Sequence, residues 1–124
     1  MSRLAILLGS GNAAFAIVLS AYSAHALRPA WPEYRYSIFQ IAVDYHLYHA
    51  LGLVVIGILI AQHSDRGLLR AAAAVMLAGI ILFCGGLYFL SLTELAWSAR
   101  ITPFGGVAFI ISWGLVMTAY LRKN

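Results

Sequence analysis

The sequence predicts an all-α integral membrane protein, built as a four-helix bundle. Three observations predict it. Of the 124 residues, 63% are hydrophobic and 10% charged, where a soluble domain carries roughly 25% charged residues. Mean hydropathy is +0.89, so apolar side chains have to face lipid. Apolar runs alternate with short polar or proline-bearing stretches, and each run has the roughly 20 residues that a membrane span needs. A single four-span domain over 1–124 is expected, with spans at about 4–26, 44–62, 68–92 and 103–121.

The first span lies between Arg3 and Arg28-Pro29, and proline stops a helix because it has no amide hydrogen to donate. Arg3, the apolar run and Ala24-His25-Ala26 also fit a cleavable leader; a retained span is the expectation. The span is rich in small residues, among them Gly9, Gly11, Ala13, Ala16 and Ser20. Such residues let helices approach closely where no hydrophobic effect drives them together, which predicts a helix inside the bundle. Asn12 within it needs a partner, because an unpaired amide in hydrocarbon is costly.

Residues 28–42 form the longest predicted link. Trp31, Tyr34, Tyr36 and Phe39 give it the aromatic character of a membrane interface. An extended piece and then a helical turn are expected there, leading into the second span at Asp44. Residues 63–67 make a tight polar turn. The third span carries Gly79, Gly85 and Gly86 as close-packing positions. Residues 93–100 form the next link, anchored by Trp97. Thr102-Pro103 reads as an N-cap with proline at the first helical position, opening the fourth span.

The formal net charge is +4, but the basic residues sit at helix ends. There they set orientation and meet lipid headgroups, so the bilayer rather than nucleic acid is the expected partner. Arg3, Arg66, Arg70, Arg122 and Lys123 fall on one side, and Arg28, Arg35 and Arg100 on the other. Asp65 accompanies the first group, while Glu33, Asp44 and Glu94 accompany the second. The five-to-three bias predicts cytoplasmic termini in a multi-pass protein of the inner (cytoplasmic) membrane, with the stretch around Asp44 facing outward.

That stretch, Asp44-Tyr45-His46-Leu47-Tyr48-His49, concentrates the unusual chemistry. With His25 at the end of span one and Glu94 after span three, it predicts an outer-face polar cluster of His25, Asp44, Tyr45, His46, Tyr48, His49 and Glu94. Tyr45 and His49 share a helix face, with His46 rotated toward its edge. His25 and His49 are the candidates to meet. Two readings stay open. Histidine with carboxylate could hold a metal or pass a proton. Alternatively, the same groups fix helix ends through hydrogen bonds. His46-x-x-His49 lacks the further ligands of a metal motif. Cys84 stands alone in an apolar run and reads as a small core residue.

Several segments together resemble the domain-of-unknown-function 423 family. They are Ser23-Ala24-His25-Ala26-Leu27, Phe39-Gln40 with Ala42-Val43, Tyr48-His49-Ala50-Leu51, Leu82-Phe83-Cys84-Gly85-Gly86-Leu87-Tyr88, and Ile101-Thr102-Pro103-Phe104-Gly105-Gly106 with Trp113. The family includes YgdD-like small inner-membrane proteins and relatives of eukaryotic transmembrane protein 256. The resemblance covers nearly the whole chain and implies four membrane helices, without implying an activity. His25 and His49 match its pattern. Glutamine is common at the place of His46, so His46 and Asp44 read as local additions. Ser20-Ala21-Tyr22-Ser23 also departs from the family's Gly-Ala-Phe-Gly.

The leading functional expectation is a structural or accessory subunit of a larger membrane complex, with other membrane subunits as partners. The alternatives are a small transporter or channel, and a redox protein holding a metal, haem or quinone at the outer histidines. The sequence names no cofactor. It has neither Cys-x-x-Cys-His nor a nucleotide-binding loop, so an enzyme is not the expectation.

Overall fold

The computed structural model describes residues 1–64 and 66–122. Asp65 and Lys123, both part of the charge pattern, lie outside the described residues. The chain forms α1 (Ser2–Leu27), α2 (Glu33–Gln62), α3 (Gly67–Thr93) and α4 (Trp97–Leu121), each long and apolar enough to cross a membrane. Two of them contain a π turn, at Ser23–Leu27 and at Ile80–Cys84. Each is marked by an amide donating five residues back: Arg28 N–H to Ser23 O, and Gly85 N–H to Ile80 O.

Two helices start earlier than the local signals predict. In α2, Pro32 is the N-cap and Glu33 opens the first turn, where a carboxylate complements the helix dipole. Nothing after Pro32 breaks the helix, so Tyr34, Tyr36 and Phe39 are helical. The expected 15-residue link shrinks to 28–32. In α4 the N-cap is Ala96, and Pro103 lies inside the helix. Thr102 therefore does not cap. Its Oγ1 donates back to the Ser98 carbonyl, at 3.3 Å. Pro103, the seventh residue of α4, removes one amide donor and crowds the Ala99 carbonyl, and the longer run of turns after it carries that cost.

The expectation for α1 is overturned. Only 17% of its apolar window is buried, against 50% for α2. The interior helix is α2, and α1 lies on the outside of it. Small residues on α1 serve one close contact: Ala5, Gly9, Ala16 and Ser23 are buried there, with Leu27 buried at its end. Polar bonds fix the register of this antiparallel pair. Ser2 Oγ donates to Gly57 O at 2.7 Å, and Gln40 Nε2 donates to Ser23 Oγ at 2.7 Å.

The other pair, α3 with α4, is closer still. A Cβ on Gly105 would collide with the backbone of Phe83, and one on Gly79 would come within 2.6 Å of the Phe109 ring. Ser112 Oγ adds a buried bond to Ala72 O at 2.7 Å. Gly85, predicted as a packing position, instead faces open space. The two pairs meet through α2 and α3, around Leu53, Ile56, Ile60, Leu69, Ala72 and Met76. The start of α1, the turn after α2 and the end of α4 lie at one end, where His63 meets Tyr120.

Candidate functional site

Because α2 starts at Glu33, the histidine stretch lies in its middle. The midpoint of this 30-residue helix falls between Leu47 and Tyr48. The helix is about 45 Å long, so a hydrocarbon layer about 30 Å thick covers that midpoint wherever it is laid. His46 and His49, 3% and 8% exposed, are thus buried at membrane depth rather than at the water boundary.

His46 joins three helices. Its Nε2 lies 2.9 Å from Asn12 Oδ1 on α1, and its Nδ1 lies 2.9 Å from the Tyr88 hydroxyl on α3. Asn12 also donates Nδ2–H to the Leu8 carbonyl at 2.8 Å. That carbonyl only accepts, so Oδ1 is the atom facing His46, and Nε2 carries a proton. In the neutral ring Nδ1 then accepts from Tyr88 O–H. The donors all point the same way, from Tyr88 to His46 to Asn12 to the α1 backbone. Phe15 closes one side with an edge contact at 6.0 Å. The sequence placed His46 at the edge of the functional face; the structure places it at the centre. Tyr88 was missed, although a tyrosine in an apolar run signals a hydroxyl that needs a partner.

His49 is satisfied differently. Its Nδ1 lies 2.8 Å from the Tyr45 carbonyl, within its own helix. Its ring stacks on Phe109 at 3.6 Å and 13°, with Trp113 at 6.1 Å. Tyr45 lies parallel to the ring at 5.9 Å, as the shared helix face predicts, and also meets Phe83.

The other predicted cluster members lie elsewhere. His25 is exposed in the π turn of α1. The neighbouring Ser23 pairs with Gln40, and His49 lies nine residues beyond Gln40, about 13 Å along the axis. His25 and His49 are therefore at different depths. Asp44 is exposed and opens on a crevice of about 580 Å³ shared with Arg28, Glu33 and Gln40. Tyr48 is exposed and touches Tyr45. Glu94 ends α3 in the left-handed conformation, φ 57°, and accepts a 2.7 Å bond from Tyr34 Oη. Beside it, Arg35 donates to the carbonyls of Ser91 and Leu92, and its guanidinium lies 4.0 Å over the Trp31 ring. These contacts clamp the end of α3 to the start of α2. Among the described residues, no three His, Cys, Asp or Glu side chains form a metal-ligating group. Cys84 is buried and free.

A cleft of about 260 Å³ lies between α1 and α3. Asn12, His46 and Tyr88 give it polar groups, while Phe15, Ile81 and Gly85 line it with hydrocarbon. The π turn of α3 runs along it, and such turns are frequent at functional sites.

The model of the protein family described as "Protein of unknown function (DUF423)" matches residues 19–106. The chain belongs to this family. It is 44% identical over 117 residues to the UPF0382 membrane protein YwdK of Bacillus subtilis, covering 94% of this chain and 95% of that one. It is 39% identical to a UPF0382 membrane protein of Staphylococcus epidermidis, covering 94% of each chain. It is 38% identical to the UPF0382 membrane protein SAB0533 of Staphylococcus aureus, covering 97% of each. No solved structure matches the chain. Family membership and four apolar helices together make this a small multi-pass membrane protein of the DUF423 family.

Proposed function

We propose that this DUF423 protein is a structural or accessory subunit of a larger complex in the cytoplasmic membrane. The observation that carries the reading is the outward face of α1. Ser10, Gly11, Ala14 and Ala21 are exposed there among the exposed Leu7, Ile17 and Val18, on a helix that packs its other side on α2. A Cβ on Gly11 would meet nothing within 4 Å. Small residues gain little by facing lipid, but they let a partner helix approach closely. The same proposal places both termini in the cytoplasm, from the five-to-three basic bias. It extends to kinship with eukaryotic transmembrane protein 256, through the segments around His25, His49 and Thr102-Pro103.

The test is purification in a mild detergent, a native gel, and mass spectrometry of what co-migrates. The parent protein is expected in a band much larger than the 13.5 kDa chain. Gly11→Leu is expected to release it from that band while it remains folded. Migration of the parent alone, with no co-purifying membrane protein, would refute the reading.

A further inference from the structure

The cleft between α1 and α3 has a chemistry of its own, independent of whether α1 docks a partner. Its polar groups sit on a wall otherwise made of Phe15, Ile80, Ile81, Cys84 and Gly85. None of the residues lining it is Asp, Glu, Lys or Arg, so a charged headgroup finds no counter-ion there. Its volume of about 260 Å³ falls just below the roughly 300–1,000 Å³ of pockets that enclose a whole small molecule. It has room for a head, with the rest of the molecule left in lipid.

The hydrogen-bond directions leave defined capacity unused. The Tyr88 oxygen gives its hydrogen to His46 and keeps its lone pairs. Asn12 uses one amide hydrogen on Leu8 O and keeps the other. The cleft therefore offers one acceptor and one donor on either side of His46. A hydroxyl can donate to Tyr88 or accept from Asn12, and a carbonyl can accept from Asn12. A head that donates to Tyr88 also polarises the hydroxyl further along the chain toward His46 and Asn12. We infer that this cleft binds the head of a neutral membrane lipid, a hydroxyl or ring carbonyl on a hydrocarbon tail, entering sideways from the bilayer between α1 and α3.

Gly85 supplies the variant that tests it. A Cβ there meets no atom within 4 Å, so Gly85→Leu takes up cleft space without overpacking the bundle. The full-length protein is placed in phosphatidylcholine nanodiscs doped with a long-chain prenol, a prenyl quinone or phosphatidylglycerol. Retained lipid is then read by native mass spectrometry. The parent is expected to retain the prenol or the quinone, which distinguishes a hydroxyl head from a carbonyl one. Retention in Gly85→Leu should fall about tenfold, the scale of an overpacking clash. Tyr88→Phe keeps the ring and removes the hydroxyl, and should weaken retention about fivefold. The inference is overturned if the parent retains neither neutral lipid or prefers phosphatidylglycerol. It is equally overturned if Gly85→Leu, eluting as the parent does, retains as much as the parent.

Discussion

His46 and His49 stand one helical turn apart on α2, and both are buried, yet the fold treats them in opposite ways. His49 bonds to its own helix and is held by rings from α2 and α4. Its Nδ1 is bonded before α2 meets any neighbour, and its ring face is packed like an aromatic residue. His46 has nothing on its own helix to bond. Both its nitrogens depend on side chains from α1 and α3, so its burial is paid for only when three helices are in register. A polar group satisfied locally reports packing. One satisfied across helices makes the tertiary arrangement conditional on itself, and here it also lines a cleft open to lipid. Intramembrane ionisable residues of that second kind point to function by default.

The largest expected effect follows from removing His46. His46→Leu leaves Asn12 Oδ1 and the Tyr88 hydroxyl without their partner, and should destabilise the fold by about 1–3 kcal/mol, read by unfolding in detergent with increasing SDS. His49→Leu loses an aromatic stack of about 0.5–1.5 kcal/mol and a bond to a carbonyl of its own helix. It should cost less than His46→Leu, and equal losses would erase the contrast. Next comes Tyr88→Phe, which removes the donor to His46 and should cost about 1 kcal/mol. Tyr45→Phe should stay within about 0.5 kcal/mol, because Tyr45 meets His49 and Phe83 through its ring. A double-mutant cycle between Asn12→Leu and His46→Leu should give a coupling of about 0.6 kcal/mol, the average for bonds between membrane helices, and at most about 1.7 kcal/mol. No coupling would mean that the two side chains do not cooperate. His25→Gln should have the smallest effect, within about 0.5 kcal/mol, since His25 is exposed.

The four helices were legible because hydrocarbon length is read straight from composition, and Arg28-Pro29 and the polar turn at 63–67 punctuate it. Boundaries were less so. Trp31-Pro32 looks like the middle of an interfacial link, yet Pro32 is an N-cap and the residues after it are good enough helix formers to continue. Thr102-Pro103 has the local signature of a helix start, but a proline is bearable nearly two turns into so long a helix. The first of these errors moved the site. Starting α2 at residue 44 placed His46 and His49 at the water boundary beside His25 and Glu94, whereas starting it at Glu33 carries them to the middle of the bundle. The small residues of α1 showed that it makes a close contact, but could not show how many neighbours it has. The π turn at Ile80–Cys84 leaves no mark in the residue pattern, and it shifts the helical phase of everything after it on α3, Tyr88 included. That is why the partner of His46 had to be seen in space.

The central claim is the direction of the bonds at His46, and nitrogen-15 NMR of the histidine-labelled protein in bilayers tests it most directly. His46→Gln identifies the signals that belong to His46. The account predicts a ring with hydrogen on Nε2 and a bare, hydrogen-bonded Nδ1, whose resonance shifts in Tyr88→Phe while the His49 signals hold still. A His46 ring carrying its hydrogen on Nδ1 alone, or one indifferent to the loss of the Tyr88 hydroxyl, would contradict it.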